Sequence, residues 1–129
     1  MNCKISLCYD INEDEWSMKK LPDSSLHKFY QCSASISLSP VEILITGGGS
    51  PPKKETRIFL TQKNELITRA QMTESRNAHA ITICRGNVYV LGGFSGKQRL
   101  NSVEKYNIKE DKWSQMDPMK DKRHYLSAC

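Results

Sequence analysis

Short runs of β-branched and apolar residues, separated by polar and glycine-containing stretches, recur through the chain. Ile43-Leu44-Ile45-Thr46 ends in Gly47-Gly48-Gly49, and Val88-Tyr89-Val90-Leu91 ends in Gly92-Gly93. Runs of this length and composition predict strands. His79-Ala80-Ile81-Thr82-Ile83-Cys84 precedes the second run across Arg85-Gly86-Asn87, a short turn signal that predicts an antiparallel hairpin. Ser102 to Ile108 and Trp113 to Met116 predict a second hairpin around Lys109-Glu110-Asp111-Lys112, where Asp tolerates turn geometry. The four strands together predict one sheet. No stretch sustains apolar residues at i, i+3, i+4, i+7 with caps at both ends, so the expected class is all-β.

The pattern is also periodic, which decides the architecture. Tyr106-Asn107-Ile108-Lys109-Glu110-Asp111-Lys112-Trp113 echoes Tyr9-Asp10-Ile11-Asn12-Glu13-Asp14-Glu15-Trp16, with Tyr and Trp seven residues apart in both. Phe59 and Leu66 form a degenerate third copy, with Asn64 where the others carry Asp14 and Asp111. The register holds beyond these anchors, placing Pro22, Met72 and Met119 in equivalent positions. In the last two copies it sets Gln71 to Arg76 over Pro118 to Arg123, so that Arg76 aligns with Arg123.

An apolar strand ending in Gly-Gly, followed by Tyr and then by Trp seven residues later, resembles the kelch repeat. The resemblance covers nearly the whole chain. It is fullest from Arg76 to Trp113 and departs from the pattern at Phe59, at Leu66 and in the Ser-rich first strand Phe29 to Leu38. The fold it implies is all-β, a partial kelch-type β-propeller of four-stranded antiparallel blades. The expected organisation is two outer strands of a partial blade over 1–22, a degenerate blade over 23–70, a well-matched blade over 71–116, and the first strand of a further blade over 117–129. The expected anchors are Gly48, Gly49, Gly92 and Gly93 at strand ends, with Tyr9, Trp16, Phe59, Leu66, Tyr106 and Trp113 between stacked sheets. A single blade is apolar on both faces and depends on its neighbours. Propellers typically have about four to eight blades, so the chain is read as a fragment of a longer protein, with self-association into a ring of about six blades as the alternative.

Composition adds little to this picture, but charge and cysteine usage do. Five cysteines without a Cys-x-x-Cys pair fit neither a disulfide framework nor a zinc ribbon. They predict small buried apolar residues in a reducing, cytoplasmic setting. No apolar run approaches the roughly 18 residues of a membrane helix, and no secretory leader is visible in the first residues. The formal net charge is +5, made up of −2 over residues 1–49, +3 over 50–76 and +4 over 77–129.

Enzymatic motifs are not found. Gly92-Gly93-Phe94-Ser95-Gly96-Lys97 has Leu91 where a phosphate loop needs its first Gly, and Gln98 where it needs Ser or Thr. His27, His79 and His124 have no metal-ligand spacing. Glu13-Asp14-Glu15 and Glu110-Asp111 read as solvated turns. No cofactor and no metal are expected, and the chain is read as a non-enzyme. The competing reading is an enzyme on a propeller scaffold, similar to galactose oxidase, whose active site uses residues outside this stretch.

The resemblance implies that the loop after each Gly-Gly strand and the blade-to-blade connection share one rim, where peptides bind in kelch-like proteins. Here that rim is basic. Ser50 to Arg57 brings Lys53, Lys54 and Arg57, the next loop brings Lys97 and Arg99, and Arg76 and Arg123 stand at blade-to-blade connections. Arginine grips carboxylates bidentately, so the expected partner is a protein with an acidic or phosphorylated segment. In kelch-like proteins such modules recruit substrates to ubiquitin ligases or bind the cytoskeleton. A nucleic-acid partner is disfavoured, because Phe94 is the one stacking aromatic of the rim loops.

Overall fold

The computed structural model describes residues 5–10, 15–20 and 32–129, the first two segments as backbone strands only. Ten strands follow in chain order: β1 Ile5–Asp10, β2 Glu15–Lys20, β3 Ala34–Ser39, β4 Glu42–Thr46, β5 Thr56–Leu60, β6 Glu65–Arg69, β7 Ala80–Cys84, β8 Asn87–Leu91, β9 Val103–Asn107 and β10 Lys112–Met116. There is no helix among the described residues. β1 and β2 form a two-stranded sheet. β3 to β6 and β7 to β10 form two four-stranded sheets, each hydrogen-bonded in chain order. All pairings are antiparallel.

The periodic anchors have one structural cause. Tyr9 pairs with Trp16, Phe59 with Leu66, and Tyr106 with Trp113, each directly across a hairpin. Seven residues is the separation that puts both partners on the same face, just above the turn. The turn residue two places before the second anchor adopts the left-handed conformation, with φ 54° at Asn64 and 50° at Asp111. Asn and Asp enter that region more readily than other non-glycine residues. The predicted Arg85-Gly86 turn is likewise left-handed at both residues, φ 48° and 73°, the requirement of a tight hairpin whose twist matches its strands.

The core runs through both four-stranded sheets. Leu44, Ile58, Met72, Val88, Val90, Tyr106 and Trp113 form one buried cluster, with Ile36, Leu60, Ile81 and Ile108 packed around it. Cross-strand register sorts the last sheet into two faces. Val88, Tyr106 and Trp113 share one with Val90 and Glu104, while Tyr89 and Lys105 share the other with Leu91 and Val103. The first face meets the preceding sheet, because the Trp113 indole N–H donates to Ala70 O at 2.9 Å and to Thr56 Oγ1 at 3.2 Å.

Three expectations change. The equivalent glycine doublet in the middle sheet is Gly47–Gly48, not Gly48–Gly49. Gly48 N–H donates to Arg76 O at 2.9 Å, as Gly93 N–H does to Arg123 O at 2.7 Å. A Cβ on Gly47 would strike Arg76 O, and one on Gly92 would lie 2.6 Å from Arg123 O. Both glycines have φ near +60°, so this close approach is what the doublet serves. Secondly, residues 124–129 form no strand. Arg123 makes an isolated bridge with Leu100, and no described strand lies beside this segment to complete a ladder. Thirdly, Cys32, Cys84 and Cys129 are free and exposed rather than buried. Cys84 ends β7 at the hairpin turn, where the sheet face runs out into solvent. Pro22, His27, Glu13, Asp14 and the start of the predicted strand Phe29 to Leu38 lie outside the described residues, as does the side chain of every residue before Cys32.

Candidate functional site: a basic rim over a buried ionic brace

The loops after β4 and β8 and the connections after β6 and β10 meet at one end of the sheets. Lys53 N–H donates to Gly48 O at 2.8 Å and Arg76 N–H to Lys53 O at 2.9 Å. Leu100 and Arg123 repeat both bonds at 2.8 and 2.9 Å. Neighbouring loops also touch, since Asn77 Nδ2 donates to Gly49 O at 3.0 Å and a Cβ on Gly96 would lie 3.3 Å from Pro52 Cδ. These four segments are thus joined by hydrogen bonds and close contacts at one end of the sheets.

The seven cations expected on this rim separate into three groups. Lys54, Lys97 and Arg99 are exposed on it, and Lys53 is half-buried there. Arg123 is 63% exposed and holds Asp121 at 3.1 Å. Lys122, which sequence reasoning did not single out, joins them through Nζ to Gln98 Oε1 at 2.9 Å. Arg57 lies not in the loop but inside β5, half-buried. Its Ile45 and Thr68 cross-strand partners fix it in the sheet.

Arg76 is the larger correction. It is fully buried and unavailable to a partner. Its guanidinium turns beneath the rim, where Nη2 donates to Glu104 Oε1 and Nη1 to Gly92 O, both at 2.7 Å. Glu74, itself hydrogen-bonded to Ser102 Oγ, adds a second carboxylate at 3.4 Å. Glu104 also accepts the Thr73 N–H at 2.6 Å and the Glu74 N–H at 3.2 Å. Arg76 thus ties the connection that enters a sheet to that sheet's β8 end and to β9. A periodic signal could have found this. Glu104 stands two residues before Tyr106, so period-two alternation puts it on the anchor face, where an acid needs a cation.

A second buried polar pair crosses between sheets. His79 Nε2 lies 2.8 Å from Thr46 Oγ1. The Thr46 hydroxyl also lies 3.4 Å from Ala34 O, and His79 Nδ1 is buried without a hydrogen-bond partner. Burial, with the nearby Arg76 guanidinium adding to it, pushes His79 down from 6.5 to about 3. Between those values the unfolded chain takes a proton that the folded chain refuses. Stability is therefore complete above pH 6.5 and falls as pH drops toward 3, by about 1.4 kcal/mol per unit at most. Chemical denaturation should show a loss of about 2 kcal/mol between pH 7 and pH 5 from this residue, absent in His79→Gln. An unchanged slope in that variant would place the titration elsewhere.

The expected carboxylate turn is structural. Asp111 Oδ1 accepts Tyr106 O–H at 2.6 Å and Ala70 N–H at 2.9 Å, clasping the preceding sheet. Those bonds, the Tyr106 one foremost, hold the Asp111 carboxyl below its usual range. Burial and then the Asp111 bond raise the Tyr106 phenol. Among the described residues no group of three His, Cys, Asp or Glu side chains could hold a metal.

Stacked four-stranded antiparallel sheets, with a large apolar pair above each outer hairpin, Phe59–Leu66 and Tyr106–Trp113, and a glycine doublet under each connection, define a blade array of the β-propeller type. The comparisons name the particular kind. The Kelch motif family matches residues 75–120. Kelch-like protein 24 from Homo sapiens is 31% identical over 107 residues, which cover 82% of this chain and 17% of that protein. Kelch-like protein 6 from Homo sapiens is 35% identical over 82 residues, 60% of this chain and 12% of the relative. Kelch-like protein 35 from Mus musculus is 25% identical over 112 residues, 86% and 18%. The chain belongs to the kelch-repeat family. It spans less than a fifth of the length of these curated relatives.

Proposed function

We propose that this chain is the interaction part of a protein-binding module and that its basic rim receives an acidic or phosphorylated segment of a partner protein. One observation carries the reading. Lys54, Lys97 and Arg99 are exposed on loops that backbone bonds and loop-to-loop contacts pin together. The ion pairs that Arg76 and Arg123 make do not involve these three side chains. Cations held on fixed loops and left to solvent favour an anionic partner and cost it little ordering. The kelch-like relatives support a protein partner in general terms, and an adaptor or cytoskeletal role is the form we favour. A cytoplasmic location is part of the same proposal, supported by three exposed free thiols that a reducing compartment preserves.

Charge reversal tests it. Lys54→Glu, Lys97→Glu and Arg99→Glu together should weaken binding of a short Glu/Asp-rich peptide about tenfold at low salt, less at high salt. Stability should move by no more than a few tenths of a kcal/mol per site. Binding by fluorescence anisotropy, with a Lys-rich peptide as control, gives the readout. Unchanged affinity for the acidic peptide would remove the rim from the function.

A further inference from the structure

Two junctions that the repeat makes equivalent differ in chemistry. Gly47 and Gly92 occupy the same place, each pressed against the carbonyl of the arginine that follows in the next connection, Arg76 or Arg123. Thr46 and Leu91, the residues just before them, are therefore counterparts. On the other side of the junction His79 and Leu126 both lie three residues past that arginine. The backbone repeats here as well. Ala78 N–H donates to Cys32 O and Tyr125 N–H to Ala78 O, both at 2.8 Å, with φ of 50° at Ala78 and 52° at Tyr125. At the first junction the counterparts are both polar, both buried and hydrogen-bonded at 2.8 Å. At the second they are both aliphatic. Leu91 and Leu126 line one cavity of about 350 Å³ with Met119, Lys120, Asp121 and Arg123.

We propose that this pair of positions is a matching site that selects which blade docks on which. The surface that ends in Thr46 accepts a following blade presenting His, and the surface that ends in Leu91 accepts one presenting an aliphatic side chain. Mismatches are rejected for a physical reason. A histidine against Leu91 would lack the partner that Thr46 Oγ1 gives to Nε2, and a leucine against Thr46 would take away the ring nitrogen that the hydroxyl now bonds. Discrimination by unpaired polar groups is steep, whereas discrimination between two aliphatic side chains is shallow. A polar pair beside an apolar pair therefore separates neighbouring junctions better than two apolar pairs could. The face that carries Leu91, Val103 and Met116 is thus fitted to a kelch-type blade with an aliphatic residue at the position of Leu126, and not to a second copy of the blade that presents His79.

Hydrogen exchange in the full chain tests this locally. The Gly48 amide, bonded to Arg76 O, reports the first junction, and the Gly93 amide, bonded to Arg123 O, reports the second. Thr46→Val should speed Gly48 exchange about tenfold or more by taking away the hydroxyl that His79 Nε2 bonds. His79→Leu should also speed it, and the double variant should exchange more slowly than the product of the two single factors requires. Single factors that simply multiply would overturn the proposal. Should a variant at the first junction fail to fold, the second junction gives the same answer. Leu126→His should speed Gly93 exchange about tenfold, and adding Leu91→Thr should restore it. No acceleration, or no restoration, would equally overturn it.

Discussion

Replacing Trp113 with Ala should cost about 3–5 kcal/mol and should loosen the preceding sheet as well as its own. The indole is 9% exposed and lies 4.9 Å, centroid to centroid, from Tyr106. Its N–H is shared between Ala70 O and Thr56 Oγ1, both in the neighbouring blade. Trp113→Phe separates the two contributions. It keeps much of the apolar contact and loses the donor, so it should cost about 1–3 kcal/mol, the range for leaving a buried acceptor unmet. Chemical denaturation gives both numbers, and hydrogen exchange at the β5 amides shows whether the damage crosses between sheets. Gln115→Ala, on the exposed part of β10, should stay within about 0.5 kcal/mol. A Trp113→Ala loss under 1 kcal/mol would mean that the sheets do not depend on one another.

The fold was legible in the chain because its determinants repeat. Tyr and Trp seven apart could be read without structure, since that spacing fixes a cross-strand pair above a turn, and the left-handed Asn64 and Asp111 occupy the matching position. The glycine doublet was harder to place. Three successive glycines, Gly47 to Gly49, offer two registers, and only the contact with Arg76 O selects the first. Arg57 was misplaced because a basic run looks like a loop, although Thr56 to Leu60 continues into a β-branched and aromatic strand. The residues braced beneath the rim were the least readable. Arg76 and Arg123 align in sequence and yet have opposite exposures, buried against 63% exposed. The difference lies 28 residues downstream of Arg76, where Glu104 waits on β9. No local pattern around an arginine reports a carboxylate that the sheet brings to it.

The same buried brace yields the second large effect. Glu104→Ala should destabilise by about 3–5 kcal/mol, the range found when one partner of a buried ion pair is removed. It would strand the Arg76 guanidinium with Gly92 O and the more distant Glu74, and it would leave the Thr73 and Glu74 amides without their acceptor. Arg76→Met should cost about the same, since it leaves the Glu104 carboxylate buried without its cation. The double variant Arg76→Met, Glu104→Leu should be much less damaging than the two losses added together, because no uncompensated charge remains. It should not return to wild type, since the two amides still lack an acceptor, a residual cost of about 1–3 kcal/mol. Equilibrium urea unfolding of the four proteins measures the coupling directly. Were Arg76 a rim contact, its replacement would leave stability within about 0.5 kcal/mol and lower acidic-peptide affinity. The buried geometry requires the reverse, a large stability loss in Arg76→Met and, for the double variant refolded to a native sheet, acidic-peptide binding equal to wild type. Additive single losses would show that the 2.7 Å contact between Arg76 and Glu104 contributes nothing as a pair.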